Sequence, residues 1–584
     1  MTKRFRVPRF NDIGATILLL ITCVGGFAQT SAPPNSQSLS AEVQSGSITG
    51  QVVGERGQPL PGASISIQPI NGLQQRIATS DTSGNFKVTN LDPRLYRVSV
   101  SLPGYTIDQP SRTEPPVYRI GENVRFQMIR GGVITGKITN AAGEPVILIP
   151  VRALRIRNPD GRGVVDSYSY GAVKFTDDRG VYRIYGLVPG TYVVLAGLVS
   201  RNTSEVTPYD NQTPTYAPSS TRDTAAEVTV HSGEEKEVDI RYRGELGHRV
   251  SGKVRSETFG TGVFLTPRDN EMGLFMMAYQ PPGVSVFAIT GVPDGEYKIT
   301  AFQSLAQDPN TLNLALSETL AVSVKGADVT GIELTPKPLG RVSGQIVMVA
   351  SAASECQGKR KPVFNEMALE TKRNILKDET DVIPFPRSSW STATPNKSGN
   401  FELKNLRSGQ YFFSPSFFAR YWYLQSVTLP SAVSNARSAT SSKTEPIRDW
   451  IAIKFGDRIS GLTLTLAEGA GSVRGKVKGD TETKIPPDLY VYLVPAEREK
   501  ADDIFRYSGS KVESDGSFAL NNLAPGRYWA ITQVAGSAQL SPEELWLPSS
   551  ADARQQLRRD AQSIGKEISI KPCQNVNDYQ VILK

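Results

Sequence analysis

Residues 84–96 read GNFKVTNLDPRLY, and the same thirteen-residue pattern returns without insertion or deletion four more times. The later copies are GVYRIYGLVPGTY (180–192), SVFAITGVPDGEY (285–297), GNFELKNLRSGQY (399–411) and GSFALNNLAPGRY (516–528). An aromatic residue stands third, an aliphatic fifth, Leu or Val eighth and Tyr thirteenth. A repeat at this spacing decides the architecture before any single motif does. Side chains alternate along a strand, so Phe86 and Val88 share one face while Lys87, like Arg183 and Glu402 in other copies, points away. A turn follows, usually with Pro and Gly (VPG at 188–190, PDG at 293–295, APG at 524–526), because Pro fixes φ and Gly accepts positive φ. The closing Tyr then opens another strand, as in YRVSV (96–100) and YVVLA (192–196). Strand, tight turn and strand together predict a hairpin.

Two further signatures frame each copy. Before it lies a short strand with an internal Gly: SITGQVV (47–53), VITGKIT (133–139), RVSGKVR (249–255), RVSGQIV (341–347) and SVRGKVK (472–478). Gly inside a strand marks a place where backbones approach closely. After it comes an alternating strand: NVRFQMI (123–129), EVDIRYR (237–243), VTGIELT (329–335), ISGLTLT (459–465) and DYQVILK (578–584). The unit so framed fits a sandwich of roughly seven strands and ~100 residues. The expectation is an all-β chain, a tandem array of five transthyretin-like or Ig-like β-sandwich domains with minor helical insertions. The units run 46–130, 131–243, 244–338, 339–467 (with an insertion at 351–395) and 468–584. Within the insertion, 365–377 (NEMALETKRNILK) predicts a short helix, and 549–562 (SSADARQQLRRDAQ) predicts a surface helix in the last unit.

The N-terminus carries Lys3, Arg4, Arg6 and Arg9, then an apolar run from about Ile13 to Val24 and the small-residue site Gly26-Phe27-Ala28. This predicts a signal peptide over 1–28 and export, with 29–45 as a polar linker. The run falls short of the roughly twenty apolar residues of a membrane span. Location is then periplasmic, outer-membrane-associated or extracellular. The net charge of +8 drops to near +5 once residues 1–28 are removed, which argues against nucleic-acid binding. The most compact basic run, Lys359-Arg360-Lys361, reads as a solvated loop. Cys356 and Cys573 remain after processing. In an oxidising compartment a bond between them would tie the fourth unit to the fifth. Spacing gives no Cα separation, and unpaired thiols are the simpler expectation.

Catalytic signatures are missing. The two histidines are His231 and His248, and His231-Ser232-Gly233-Glu234 has the HxxE spacing of zinc carboxypeptidases. A Ser-Gly turn between two strands explains that spacing more simply. No GxSxG elbow, P-loop or CxxC pair occurs. The Asp- and Asn-rich turns before the blocks (DTSG at 81–84, DDRG at 177–180) suit side chains bonded to their own turn better than a Ca²⁺ site. The expectation is no enzyme, no cofactor and no metal. Aromatic residues are the remaining lead. All five Trp lie in the last two units, and 411–424 reads YFFSPSFFARYWYL. Core packing explains most of these rings. Tyr421, Trp422 and Tyr423 are consecutive, however, so a strand cannot bury all three on one side. These residues and Trp390 are the candidate ligand-binding set.

The stretches ITGQVV…GQPLPGASISI (48–67) and DTSGNFKVTNLDPRLYRVSVSLPGY (81–105), with their echoes at 134–146 and 175–194, resemble carboxypeptidase regulatory-like domains, which are transthyretin-like β-sandwich modules. The third unit departs, with Ser285 in place of the block Gly, and the fourth is stretched. The resemblance implies a fold far more firmly than a function. Its kinship with carbohydrate-binding folds implies a polysaccharide or envelope-polymer partner. The alternative is a spacer or adhesin-like protein that meets protein partners.

Overall fold

The computed structural model describes residues 46–583 apart from 71–73, 108–116, 165–172, 198–206, 256–259, 270–273, 306–312, 375–391, 418, 431–444, 447–448, 480–484, 487 and 535–541. The signal-peptide and linker expectations lie outside the described residues. Residues 44–584 form one compact unit in which the chain is all-β: tandem sandwich domains, each with two sheets. Five clusters of buried side chains span 48–128, 134–242, 250–334, 342–466 and 473–581.

One sheet has the same construction in every domain. In the first, the opening strand Gly46–Val53 pairs antiparallel with the block strand Asn85–Leu91 and parallel with the closing strand Asn123–Arg130. In the fourth, Gly340–Val349 pairs likewise with Asn400–Leu406 and Arg458–Glu468; in the fifth, Gly471–Lys478 pairs with Ser517–Leu523 and Asn575–Ile582. The signature Gly sits opposite the block's third residue each time: Gly50 and Phe86, Gly136 and Tyr182, Gly252 and Phe287, Gly344 and Phe401, Gly475 and Phe518. A Cβ on Gly344 would stand 1.9 Å from the Leu462 carbonyl oxygen and 2.7 Å from the Phe401 ring. The ring fills the space that the missing side chain leaves.

The hairpin expectation is corrected. Asn85–Leu91 belongs to the sheet of the opening strand, whereas Leu95–Ser101 belongs to the other sheet, with Ser64–Pro69 and Val117–Arg119. The two halves of the block therefore do not pair; the turn carries the chain across the core. The reason lies in two local devices. At the seventh block residue an extra residue enters the strand: Gly46 faces Leu91 but Ile48 faces Val88, and Asn90 adopts φ 57°. A bulge of this kind bends its strand away from the pairing line. At the thirteenth residue the Tyr hydroxyl donates to the carbonyl four residues back: Tyr96 to Asp92 (2.8 Å), Tyr192 to Val188, Tyr297 to Pro293 (2.8 Å), Tyr411 to Arg407 (3.0 Å) and Tyr528 to Ala524 (2.7 Å). This is a tyrosine corner, and it fixes the change of sheet.

The turns before the blocks satisfy themselves. Asp81 Oδ1 accepts from the amides of Ser83 and Asn85, and Asn396 Oδ1 from those of Ser398 and Asn400. The short helix expected over 365–377 is a strand instead, Met367–Asn374, paired antiparallel with Gly409–Phe417. Met367 and Leu369 are fully buried in the fourth core, and that burial outweighs the segment's helix propensity. The other helix is present at Ala551–Ile564. Its Leu557 and Ala561 pack with Tyr492, Val494 and Ile531 on the side of the last domain's second sheet that faces away from the core.

Replacing Gly344 by Ala should destabilise the fourth domain by more than about 2 kcal/mol, since backbone rather than a side-chain tip must yield. Hydrogen exchange should rise in Gly340–Val349 and Arg458–Glu468 while the first domain keeps its protection. Alkaline titration gives a second check. Burial pushes the Tyr528 and Tyr492 phenols up to about 12 from the ordinary 10.0. Below the unfolded value both states are protonated and the stabilisation is complete. Between the two values only the unfolded chain has lost the proton, so stability falls with rising pH and the slope levels off above the folded value. Below about pH 12, tyrosinate absorbance from these residues should therefore appear only together with loss of near-ultraviolet circular dichroism.

Candidate functional site

The aromatic tract 411–424 sorts its rings by strand alternation. Tyr411 and Phe413, in Gly409–Phe417, are buried in the fourth core. In the next strand, Trp422–Leu429, Trp422 and Leu424 enter the same core, and Trp422 is only 2% exposed. The Trp422 indole Nε1 has no hydrogen-bond partner among the described residues. Tyr421 and Tyr423 lie half-buried on either side of it. The candidate set thus separates: Trp422 is scaffold, Tyr421 and Tyr423 border cavities, and Trp390 lies outside the described residues.

What surrounds the two tyrosines is the joint between the fourth and fifth domains. Asn522 Nδ2 donates to the carbonyls of Ala419 (2.6 Å) and Trp422 (2.7 Å). The amides of Gly469 and Ala470 donate to the Tyr421 carbonyl at 2.8 and 2.9 Å. Cys356 and Cys573 are joined in a disulfide with a Cα separation of 5.4 Å, in place of the expected unpaired thiols. The spacing in sequence, 217 residues, gave no hint that the two loops meet.

Asn522 is the seventh residue of its block, and that position was missed as a functional one. It is Asn90, Gly186, Gly291, Asn405 or Asn522, and all five have positive φ. In the third, fourth and fifth copies it faces the preceding domain. Asn405 Oδ1 accepts from the Leu314 amide at 2.8 Å, and a Cβ on Gly291 would stand 2.7 Å from the Gln212 carbonyl oxygen. The signal was present: only Asn or Gly, the residues that tolerate this conformation, occupy the place.

Beside the joint a cavity of about 290 Å³ opens between the two domains. Phe417 and Tyr423 line it from the fourth, and Phe505, Arg506, Tyr507, Asn521, Asn522 and Trp546 from the fifth. Phe505 and Trp546 meet edge to face at 5.5 Å, and Trp546 Nε1 donates to the Tyr507 carbonyl at 2.9 Å. Arg506 is held by the Pro525 carbonyl (2.6 Å) between Glu497 and Asp503. Burial raises the Tyr423 phenol, and it pushes Tyr507 up to about 12, so both stay protonated at neutral pH. The cavity offers ring faces, the Tyr423 phenol and the exposed amide of Asn521, whereas the Tyr507 and Tyr528 hydroxyls already donate to the Ala501 and Ala524 carbonyls. Such a surface can stack against a flat ligand and hydrogen-bond to it.

The HxxE residues do not assemble a metal site. Glu234 Oε2 accepts from the His231 amide at 2.9 Å and its carboxylate pairs with Lys236, which holds it below the usual carboxylate range. His248 faces Asp294 and Asp328 instead. Among the described residues no cluster of three metal-ligating side chains occurs.

Residues 47–116 match the family model of the carboxypeptidase regulatory-like domain. The first domain is of that type. Solved structures similar to the chain include the TIE protein of Bacillus anthracis, at 16% identity over 50% of this chain and 51% of that one, with a TM-score of 0.14. The minor pilin GBS52 of Streptococcus agalactiae is 15% identical over 34% of this chain and 96% of its own, with a TM-score of 0.18. A shaft pilin SpaA variant from Lactobacillus rhamnosus GG is 11% identical over 34% and 98%, with a TM-score of 0.16. The chain spans about half the length of the anthrax protein. Likeness at this level says nothing of ligand or activity. No curated protein matches the chain.

The joint makes a local prediction. Reducing the disulfide, or replacing Asn522 by Gly so that the backbone conformation survives without the amide, should loosen residues 419–424. The Asn522→Gly effect should be about 1–3 kcal/mol, from two lost hydrogen bonds. Hydrogen exchange at 419–424 and 469–475 should quicken while the second domain is unchanged, and non-reducing digestion should yield one peptide pair containing Cys356 and Cys573.

Proposed function

We propose that this chain is a non-catalytic exported binding protein that takes a saccharide segment of a cell-envelope polymer into the cavity between its fourth and fifth domains. The observation that carries this reading is the grouping of Tyr423, Phe505 and Trp546, three half-buried rings from two domains, around one opening with the Asn521 amide at its edge. Sugar rings present apolar C–H faces and equatorial hydroxyls, and this combination of flat rings and amide groups suits both. The Cys356–Cys573 bond supports an oxidising compartment, in keeping with the basic and apolar N-terminal sequence. The carboxylates described above are occupied by their own turns or by ion pairs, which supports a role without catalysis. The same crosslinked joint favours a second reading, a spacer that holds loops toward protein partners.

Retention on a panel of immobilised polysaccharides separates the two. At least one polymer should retain the protein, and Tyr423→Ala should weaken that retention by about tenfold with hydrogen exchange in the fourth core unchanged. A folded protein that no polymer retains, but that captures a partner from envelope extract, would favour the spacer.

A further inference from the structure

A second cavity of about 230 Å³ is lined by Arg119 of the first domain and by residues of the fourth that include Arg360, Lys361, Glu366, Arg420 and Tyr421. Its charge is one-sided. Glu366, buried to 4% exposure, is the one acid of the lining, and Arg360 Nη2 already bonds both of its oxygens at 3.0 and 2.9 Å. Arg119 is paired with Glu122 at 3.1 Å. Lys361 and Arg420 are exposed and have no ion-pair partner among the described residues. Lys359 Nζ stands 4.9 Å from the centre of the Tyr421 ring.

The basic run 359–361 is not a free loop. At its start, Cys356 closes a single turn, Ser354–Cys356, and is bonded to Cys573. At its end the turn Phe364–Glu366 packs Phe364 against the fourth core and buries Glu366, which grips Arg360. The run is fastened three residues before it and three after it, so the backbone that carries its cations is held in place before any ligand arrives, and Glu366 fixes the Arg360 guanidinium. Preorganised donors lose little freedom on binding, and guanidinium and ammonium groups recognise oxyanions by charge-assisted hydrogen bonds. The two cavities are neighbours: Tyr421 lines one and Tyr423 the other, and Ala419, which lines the second, accepts the hydrogen bond of Asn522, which lines the first.

We infer that the cavity beside Tyr421 binds an oxyanion substituent of the polymer, so that the ligand is an acidic saccharide rather than a neutral one. This rests on the saccharide reading of the ring-lined cavity and adds the charge of the ligand to it. Carboxylate and phosphate share the required chemistry, and separate probes tell them apart.

The test compares retention of the full chain by polygalacturonate, by its fully methyl-esterified form and by a phosphate-substituted mannan beside its unsubstituted counterpart. The expected result is at least about tenfold tighter retention of one acidic polymer than of its neutral form, weakening with added salt. The Lys361→Gln/Arg420→Gln double variant should lose that preference and keep its affinity for the neutral form, because both side chains are exposed. Tyr423→Ala should weaken acidic and neutral polymers alike. Equal retention of acidic and neutral forms by the unaltered chain overturns the inference and leaves the saccharide reading standing. An acidic preference that survives in the double variant overturns it too, since the cations would then lie elsewhere. If no polymer is retained by the folded protein, the saccharide reading and this inference fall together.

Discussion

A phenol that reaches back four residues to a carbonyl is the constraint on which these domains depend. In each of the five blocks the chain must leave one sheet and enter the other, and the backbone at that crossing cannot continue either ladder. The tyrosine supplies the partner that the crossing lacks: Tyr528 is 1% exposed, and its hydroxyl donates to Ala524. Burying a hydroxyl is tolerable only when it is bonded, and a carbonyl at a corner needs a donor for the same reason. Aromatic packing and corner geometry are thus met by one side chain. The fixed crossing then sets the separation of the sheets, and the glycine of the opening strand receives the block's aromatic ring inside it.

The rigid corner also explains where sites arise. A domain made this way has little room inside; its core is filled by the block residues and their partners. The two cavities described above lie instead where domains meet. The fourth and fifth meet through an amide, two backbone bonds and a disulfide beside the ring-lined cavity, and the second cavity brings Arg119 of the first domain against residues of the fourth. The ring-lined cavity draws its residues from both domains, so its shape depends on the joint.

Much of the fold was legible in the residues. The third and fifth block positions, the internal glycine and the closing strand each have a local signature, because each answers to alternation or close approach within a few residues. Sheet assignment was less so. The block looks like a hairpin because turn chemistry is local, while membership of a sheet is decided by partners up to about a hundred residues away. The segment 365–377 failed for a related reason: its helix formers were read in isolation, yet Met367 and Leu369 have a core to enter. Of the candidate site, Tyr421 and Tyr423 were visible through the argument from consecutive residues. Phe505, Asn521 and Trp546 were not, since only the docking of two domains brings them to the same opening.

The seventh block residue has a consequence for how such chains come to exist. In the fourth and fifth copies the amide that grips the preceding domain is written inside the block itself, next to the corner that folds it. A copied stretch of gene therefore arrives with its own fastener, and needs only a carbonyl or an amide at the rim of whatever stands before it. Lengthening by duplication then asks for no simultaneous change elsewhere, while each new seam creates a crevice whose walls come from two copies free to diverge. Novel recognition in proteins of this build should accumulate at the seams first.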